Sequence, residues 1–173
     1  MSVSFVANAA GVFRSRLATL EHVLKAGALH FPESECVFLN KRLTPDMHNL
    51  GAQVAFTCNQ PRNFSLWLSR APTCDLDPNV ESLDTAFRYI QETRNLLDTV
   101  SVDDEALDTQ KRLELGANLY ADLTGHQYLH EFLMPNFYFH LVTAYAILRM
   151  SGVQVGKRDY MLHLIPYLQQ SGS

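Results

Sequence analysis

The sequence predicts an all-α fold, with four long amphipathic helices packed as an antiparallel bundle. Apolar residues recur at spacings of three, four and seven in four separate segments, the period that gathers side chains on one helix face. Capping and stop signals bracket those segments. A chain of 173 residues fits one domain with a substantial core, taken as residues 1–173.

Residues 3–28 give the first helix. Val6, Phe13, Leu17, Leu20 and Leu24 share one face, Arg14, Arg16 and Glu21 suit the wet side, and Gly27 and Pro32 help end it. Residues 30–43 read as a loop with a short turn. In "LTPDMHNLGAQVAFTCNQPRNFSLWLSR", Thr44 is expected to cap a second helix, with Pro45 at its first position and Asp46 at the positive end of its dipole. That helix is expected to reach about Arg70, kinked at Pro61, where proline removes a donor and crowds the preceding turn. The third helix is "PNVESLDTAFRYIQETRNLLDTV", with Phe87, Ile90 and Leu97 buried alongside Val80 and Leu83.

Residues 101–125 turn polar and partly alternating, either a short hairpin around Gly116 or an irregular loop. The fourth helix starts near His126, with Pro135 inside it or ahead of its main part. Phe137, His140, Leu141, Ala144, Ile147 and Leu148 mark its core side, and Gly152 suits a left-handed cap. The tail "RDYMLHLIPYLQQSGS" is apolar enough to dock until about Leu168. The long connection after the third helix breaks simple up-and-down symmetry.

Fourteen basic against eighteen acidic residues give a net charge of −4, and Lys and Arg cluster only in pairs. No basic face for nucleic acid is implied. Cys36, Cys58 and Cys74 are odd in number and widely spaced, without a CxxC. They read as free thiols in a reducing compartment, not as a disulfide framework or a zinc-ligand set. No charged segment followed by an apolar run opens the chain, and no stretch reaches the ~18 apolar residues of a membrane span. The expectation is a soluble, cytoplasmic protein with no membrane partner.

Two blocks carry a resemblance. "YLHEFLMPNFYFHLVTAYAILRMSGVQVGKRDYM" contains Pro135 to His140 as P-N-F-Y-F-H, then Thr143 to Tyr145 as T-A-Y and Ile147 to Arg149 as I-L-R. Gly152 and Val153 follow, then Gly156, Lys157 and Asp159 as G-K-x-D. "RLTPDMHNLGAQV", Arg42 to Val54, is similar to R-L-x-P-D-M-F-x-L-x-x-Q-V, with His48 where an aromatic is usual. These blocks resemble the family catalogued as domain of unknown function 1993, within the DinB-like superfamily of YfiT-like helical proteins. Pro61 and its polar neighbours depart from the usual middle of the second helix.

The resemblance implies a DinB-like antiparallel four-helix bundle, with a long, partly extended connection before the last helix, and commonly a homodimer. It implies no settled reaction, since fold alone does not carry function. The superfamily includes metal-dependent hydrolases and thiol S-transferases, whose sites use one His from the second helix and a His-x-x-x-His pair on the fourth. The matching positions here are His48, Asn136 and His140. Asparagine is a poor transition-metal ligand beside imidazole, so that triad reads as broken. A zinc or nickel ion on His48 and His140 is the alternative. His126 and His130 are also four apart, but the sequence places no third ligand with them, and they read as a polar face.

The residues themselves suggest a metal-free pocket. Asn136, His140 and Thr143 share one face of the fourth helix, while Tyr138, Val142, Tyr145 and Arg149 share another. A bundle interior carrying these groups with His48, Asn49 and Gln53 is costly unless each is hydrogen-bonded, and a cavity holding a small organic molecule would explain the polarity. In the functional reading His140 is a general acid or base, and Tyr138 or Tyr145 donates to a developing oxyanion. Asn136, His48, Asn49, Gln53 and Arg149 contact the substrate. The reaction class would be a cofactor-free isomerase, lyase or cyclase step on a small apolar molecule. The competing readings are a satisfied core histidine, donating to Gln53 or a carbonyl, and a non-catalytic ligand-binding or dimeric interaction protein. Cys58 reads as a small buried residue.

Overall fold

The first long helix, α1, spans Phe5–His30 and buries Val6, Phe13, Leu17, Leu20 and Leu24, the face its spacing defines. Ser4 caps it by accepting from the Ala7 amide. Asp104, a hundred residues on, accepts from the Phe5 and Val6 amides at 3.0 Å, satisfying the orphan donors of the first turn. Those bonds hold the Asp104 carboxyl below the usual carboxylate range and tie a short 3-10 turn, Asp104–Asp108, to the start of α1. The structure, a computed structural model, describes residues 4–32, 35–100 and 104–169. Residue 3 of the expected first helix and 101–103 of the expected connection lie outside the described residues.

Within the expected loop lies one short helix, α2, Glu35–Leu39. The next helix starts later than the sequence suggests. Thr44 to Met47 form a turn, with the Met47 amide on the Thr44 carbonyl and the Thr44 hydroxyl on the Asp46 carboxylate. Helix α3 spans Leu50–Leu68, capped by Asn49, whose side chain accepts from the Ala52 amide at 2.9 Å. Asn49 is as good a cap as Thr44, and the Leu50 amide on the Lys41 carbonyl fixes where the helix begins. It runs unbroken through Pro61.

Helix α3 and the last long helix, α6 (Met134–Met150), end in the same closure. At α3, the Arg70 amide bonds the Trp67 carbonyl and the Ala71 amide the Leu66 carbonyl. At α6, the Gly152 amide bonds Arg149 and the Val153 amide Leu148. Both put a residue in the left-handed region. Gly152 does so at φ 91°, without penalty, while Arg70 does so at φ 56° against a steric cost of about 1 kcal/mol.

Helix α4, Leu83–Asp98, is capped by Ser82 and buries Leu83, Ala86, Tyr89, Ile90, Thr93 and Leu97, while Phe87 and Val100 only edge the core. The connection after it holds a hairpin, β1 Gln110–Gly116 and β2 Leu119–Thr124, antiparallel from the Gln110–Thr124 pair inward. Gly116, Ala117 and Asn118 all have positive φ at its tip, and Arg112 grips Asp122 through two bonds at 2.8 and 3.0 Å. The expected fourth helix is a composite. A single turn, α5, Gly125–Gln127, leads into a π-helical segment, Tyr128–Leu133, and then α6. The Met134 amide reaches back five residues to Leu129. In a regular turn the Pro135 ring would meet the Glu131 carbonyl, and the wider turn accommodates it.

After α6, α7 spans Lys157–Tyr160. Asp159 accepts from the Gly156 amide and pairs with His22 of α1 at 2.9 Å, pinning the tail. The tail packs less far than its apolarity suggests, because Leu164, Ile165, Tyr167 and Leu168 are exposed. Among the long helices, α1 packs against α4 and α6, and α3 packs against the same two. Phe13 joins them, its ring 5.5 Å from Phe64 of α3 and 5.0 Å from Phe137 of α6. Among the described residues, no helix is long and apolar enough to cross a membrane.

Candidate functional site

The α3–α6 contact holds one polar pair that crosses between helices. Gln53, buried in the first turns of α3, meets His140 Nδ1 through its Oε1 at 2.8 Å. Its Nε2 donates to the His48 carbonyl at 3.3 Å. That second bond orients the amide, so Oε1 faces the imidazole and can only accept. His140 Nδ1 therefore carries the proton, and Nε2 keeps its lone pair. Burial first, and the nearby His48 second, push the His140 pKa down to about 4, because both disfavour the cation. His140 is a neutral imidazole of fixed tautomer at neutral pH.

Aromatic rings surround it. Phe56, three residues from Gln53 on the same face, lies 5.0 Å from both the His48 and His140 ring centres. Phe139 packs edge-on at 5.2 Å. Outside His48 runs an open groove of about 400 Å³ over the start of α3, lined by Arg42, Asp46, His48, Asn49, Ala52 and Asn79 among others. Phe56, Arg42 and Asn79 were not identified from sequence. Phe56 alone carries a local signal, its spacing from Gln53; the other two sit on loops that periodicity does not place.

The remaining sequence candidates fall in other places. Asn136 donates to the Phe132 carbonyl at 2.8 Å across the π-helical segment, and Thr143 donates to the Phe139 carbonyl at 2.7 Å. Both lie on the His140 flank but satisfy their own helix. Asn49 is spent as the cap of α3 and on Asn40 at 2.9 Å. Tyr138 and Tyr145 lie two residues before and five after His140, about 160° and 140° around the helix. They are not brought to the imidazole. Tyr145 instead meets Tyr160 of α7 at 5.8 Å, beside a hollow of about 160 Å³ with Val142 and Lys157. Arg149 is exposed in the last turn of α6.

A metal triad finds poor support in these donors. Of the three positions, Asn136 is turned back on its own helix and His140 offers only Nε2. No group of three or more His, Cys, Asp or Glu residues is placed to hold an ion among the described residues. Two imidazoles and a committed amide do not fit the three protein ligands a zinc or nickel centre requires. His126 and His130 stack with ring centres 6.4 Å apart, and likewise gather no third ligand among the described residues. Cys58 is fully buried, and burial pushes its thiol up to about 12, which removes it as a nucleophile at neutral pH.

Comparison with known proteins agrees with the motifs. A solved DinB family member protein from Shewanella denitrificans is 30% identical, with 93% of each chain covered and a TM-score of 0.77. No curated protein matches. The model of the family described as domain of unknown function 1993 matches residues 6–161, a span that includes both motif blocks and the Gln53–His140 pair, and the chain belongs to that family.

Proposed function

We propose that His48, Gln53, Phe56 and His140 form one wall of a small-molecule site approached from the groove beside His48, and that the protein is a metal-independent enzyme. The observation that carries this reading is the Gln53 bridge between the His48 carbonyl and His140 Nδ1. A buried glutamine spent on holding one imidazole tautomer leaves Nε2 as a proton acceptor. His140 is then the base of an isomerase, lyase or cyclase step on a small apolar metabolite. It is not the acid, because it carries no spare proton at neutral pH. His48, exposed on the groove, supplies the donor, and the tyrosines have no part.

One observation favours a second reading. A pKa of about 4 lies well below the range in which a base works best at neutral pH, as expected of a hydrogen-bond acceptor in a non-catalytic binding protein. Nitrogen-15 NMR of histidine-labelled protein, screened against a metabolite panel, separates the readings. Both expect an Nδ1-protonated His140 from pH 5 to 7. A compound that shifts His140 and is turned over by the native protein, but only bound by His140→Ala, makes it an enzyme. Binding without turnover makes it a binder, and a His140 that titrates near 6.5 sinks both.

The packing order α1, α4, α3, α6 supports an antiparallel four-helix bundle, and the exposed free thiols Cys36 and Cys74 support a cytoplasmic setting. A homodimer fits the outer face of α6, where Pro135, Phe139, Val142, Ala146 and Met150 form a stripe at helical spacing, with Phe139, Val142 and Met150 exposed. An antiparallel two-fold pairing brings the Arg149 end of one helix beside the Glu131 end of the other. Sedimentation should give a dimer that Val142→Glu converts to monomer; a native monomer at micromolar concentration removes the idea.

A further inference from the structure

Far from His140, the C-terminal end of α3 and the Asp104–Asp108 turn border a partly open cavity of about 420 Å³, lined by Trp67, Leu68, Ala71 and the exposed Arg70 and Thr109 among others. Trp67 follows Gln53 by fourteen residues, about 20 Å along the helix, so this cavity is separate from the groove beside His48. Its volume lies in the range of small-molecule sites.

Three features make it a built pocket. The Trp67 indole is fixed, meeting the Tyr128 ring edge-on at 5.3 Å. It also lies against Gly125, where an added Cβ would stand 2.6 Å from its Cη2 and 2.7 Å from the Ala106 carbonyl oxygen, so only glycine admits it. Arg70 holds a left-handed backbone at φ 56°, in a closure that α6 makes with Gly152. Its side chain makes no hydrogen bond or ion pair among the described residues. The backbone of Arg70, held where glycine is better suited at the rim of a cavity, is strain of the kind found at binding sites, and its exposed guanidinium has no partner among the described residues.

We propose that this cavity binds a small aromatic or apolar monocarboxylate. The carboxylate pairs with Arg70, whose planar fork matches it, and the apolar body lies against Trp67, Leu68 and Ala71. Glu105 also lines this wall, and a carboxylate there repels a dianion more than a monoanion.

Trp67 is the chain's one tryptophan, so its fluorescence reports occupancy directly. The probes are phenylacetate, its neutral isostere phenylacetamide, and phenyl phosphate. Phenylacetate should give a saturable change, with at least tenfold weaker binding of the amide and the phosphate. Arg70→Gly, which relieves the backbone, should melt no lower than the native protein while losing at least tenfold in phenylacetate affinity. Arg70→Gln, which keeps the strain and removes the charge, should lose the same affinity. No saturable response to phenylacetate at millimolar concentration overturns the proposal, as does equal binding of the amide or unchanged affinity in both variants.

Discussion

Toward its start, α3 sends a buried polar side chain across to another helix. Farther along, three buried polar side chains bond back to α3 itself, and Asn59 accepts from the Leu76 amide in the segment that follows the helix. Gln53 spends its amide on the His48 carbonyl and on His140 of α6. Thr57, Gln60 and Ser65, also buried, each donate to a carbonyl four residues back on the same helix. The back-bonded groups are satisfied whatever α6 does, whereas the Gln53–His140 bond exists only while the two helices keep their register. Burial of a polar residue therefore does not mark a site; a bond that joins two long helices, as Gln53 to His140 does, ties the residue to their register.

Breaking the crossing bond should cost most. Gln53→Leu keeps similar bulk but leaves the His140 Nδ1–H without its acceptor, a loss of about 2 kcal/mol. Thr57→Val removes a hydroxyl whose partner is its own helix, and the loss should stay below about 1 kcal/mol. Urea denaturation at pH 7, with unchanged slopes, measures both. Equal losses would erase the distinction between the two stretches of α3.

How much of this was legible beforehand depends on the range of each interaction. The face of α1, the left-handed Gly152 and a hairpin at Gly116 follow from local chemistry, and the structure shows them. The start of α3 was misplaced because Thr44 and Asn49 are both competent caps, and the deciding bond, from the Leu50 amide to Lys41, comes from outside the helix. The π-helical segment before Pro135 leaves no periodic signature. At the site, spacing put Asn136, His140 and Thr143 on one flank of α6 and Tyr138 and Tyr145 on another. It could not say that the two flanks face different neighbours, so one cavity was expected where α3 takes the histidine and α7 takes Tyr145. That Gln53 would meet His140 was only a chemical possibility until α3 and α6 were placed side by side.

The smallest expected effect tests the electrostatics of the same pair. The folded-state pKa of His140 is about 4, below its ordinary 6.5. Between those values the unfolded chain binds a proton that the folded chain refuses, so stability rises with pH across this window and is lost as pH falls from 6.5 toward 4. The half-buried ring keeps some contact with solvent, which reduces the loss to about 1 kcal/mol. His140→Gln retains a donor for Gln53 and does not titrate. Its stability between pH 6.5 and 5 should therefore fall less than that of the native protein. Carboxylates with lowered pKa values, such as Asp104 and Asp159, lose their contribution only at lower pH, and His163, whose pKa is also lowered, first by burial and then by Arg16, contributes equally to both proteins and cancels in the comparison. Parallel profiles for the two proteins would assign the proton to another group, and His140 would then be free to ionise on the α3 side of α6 as readily as an exposed histidine.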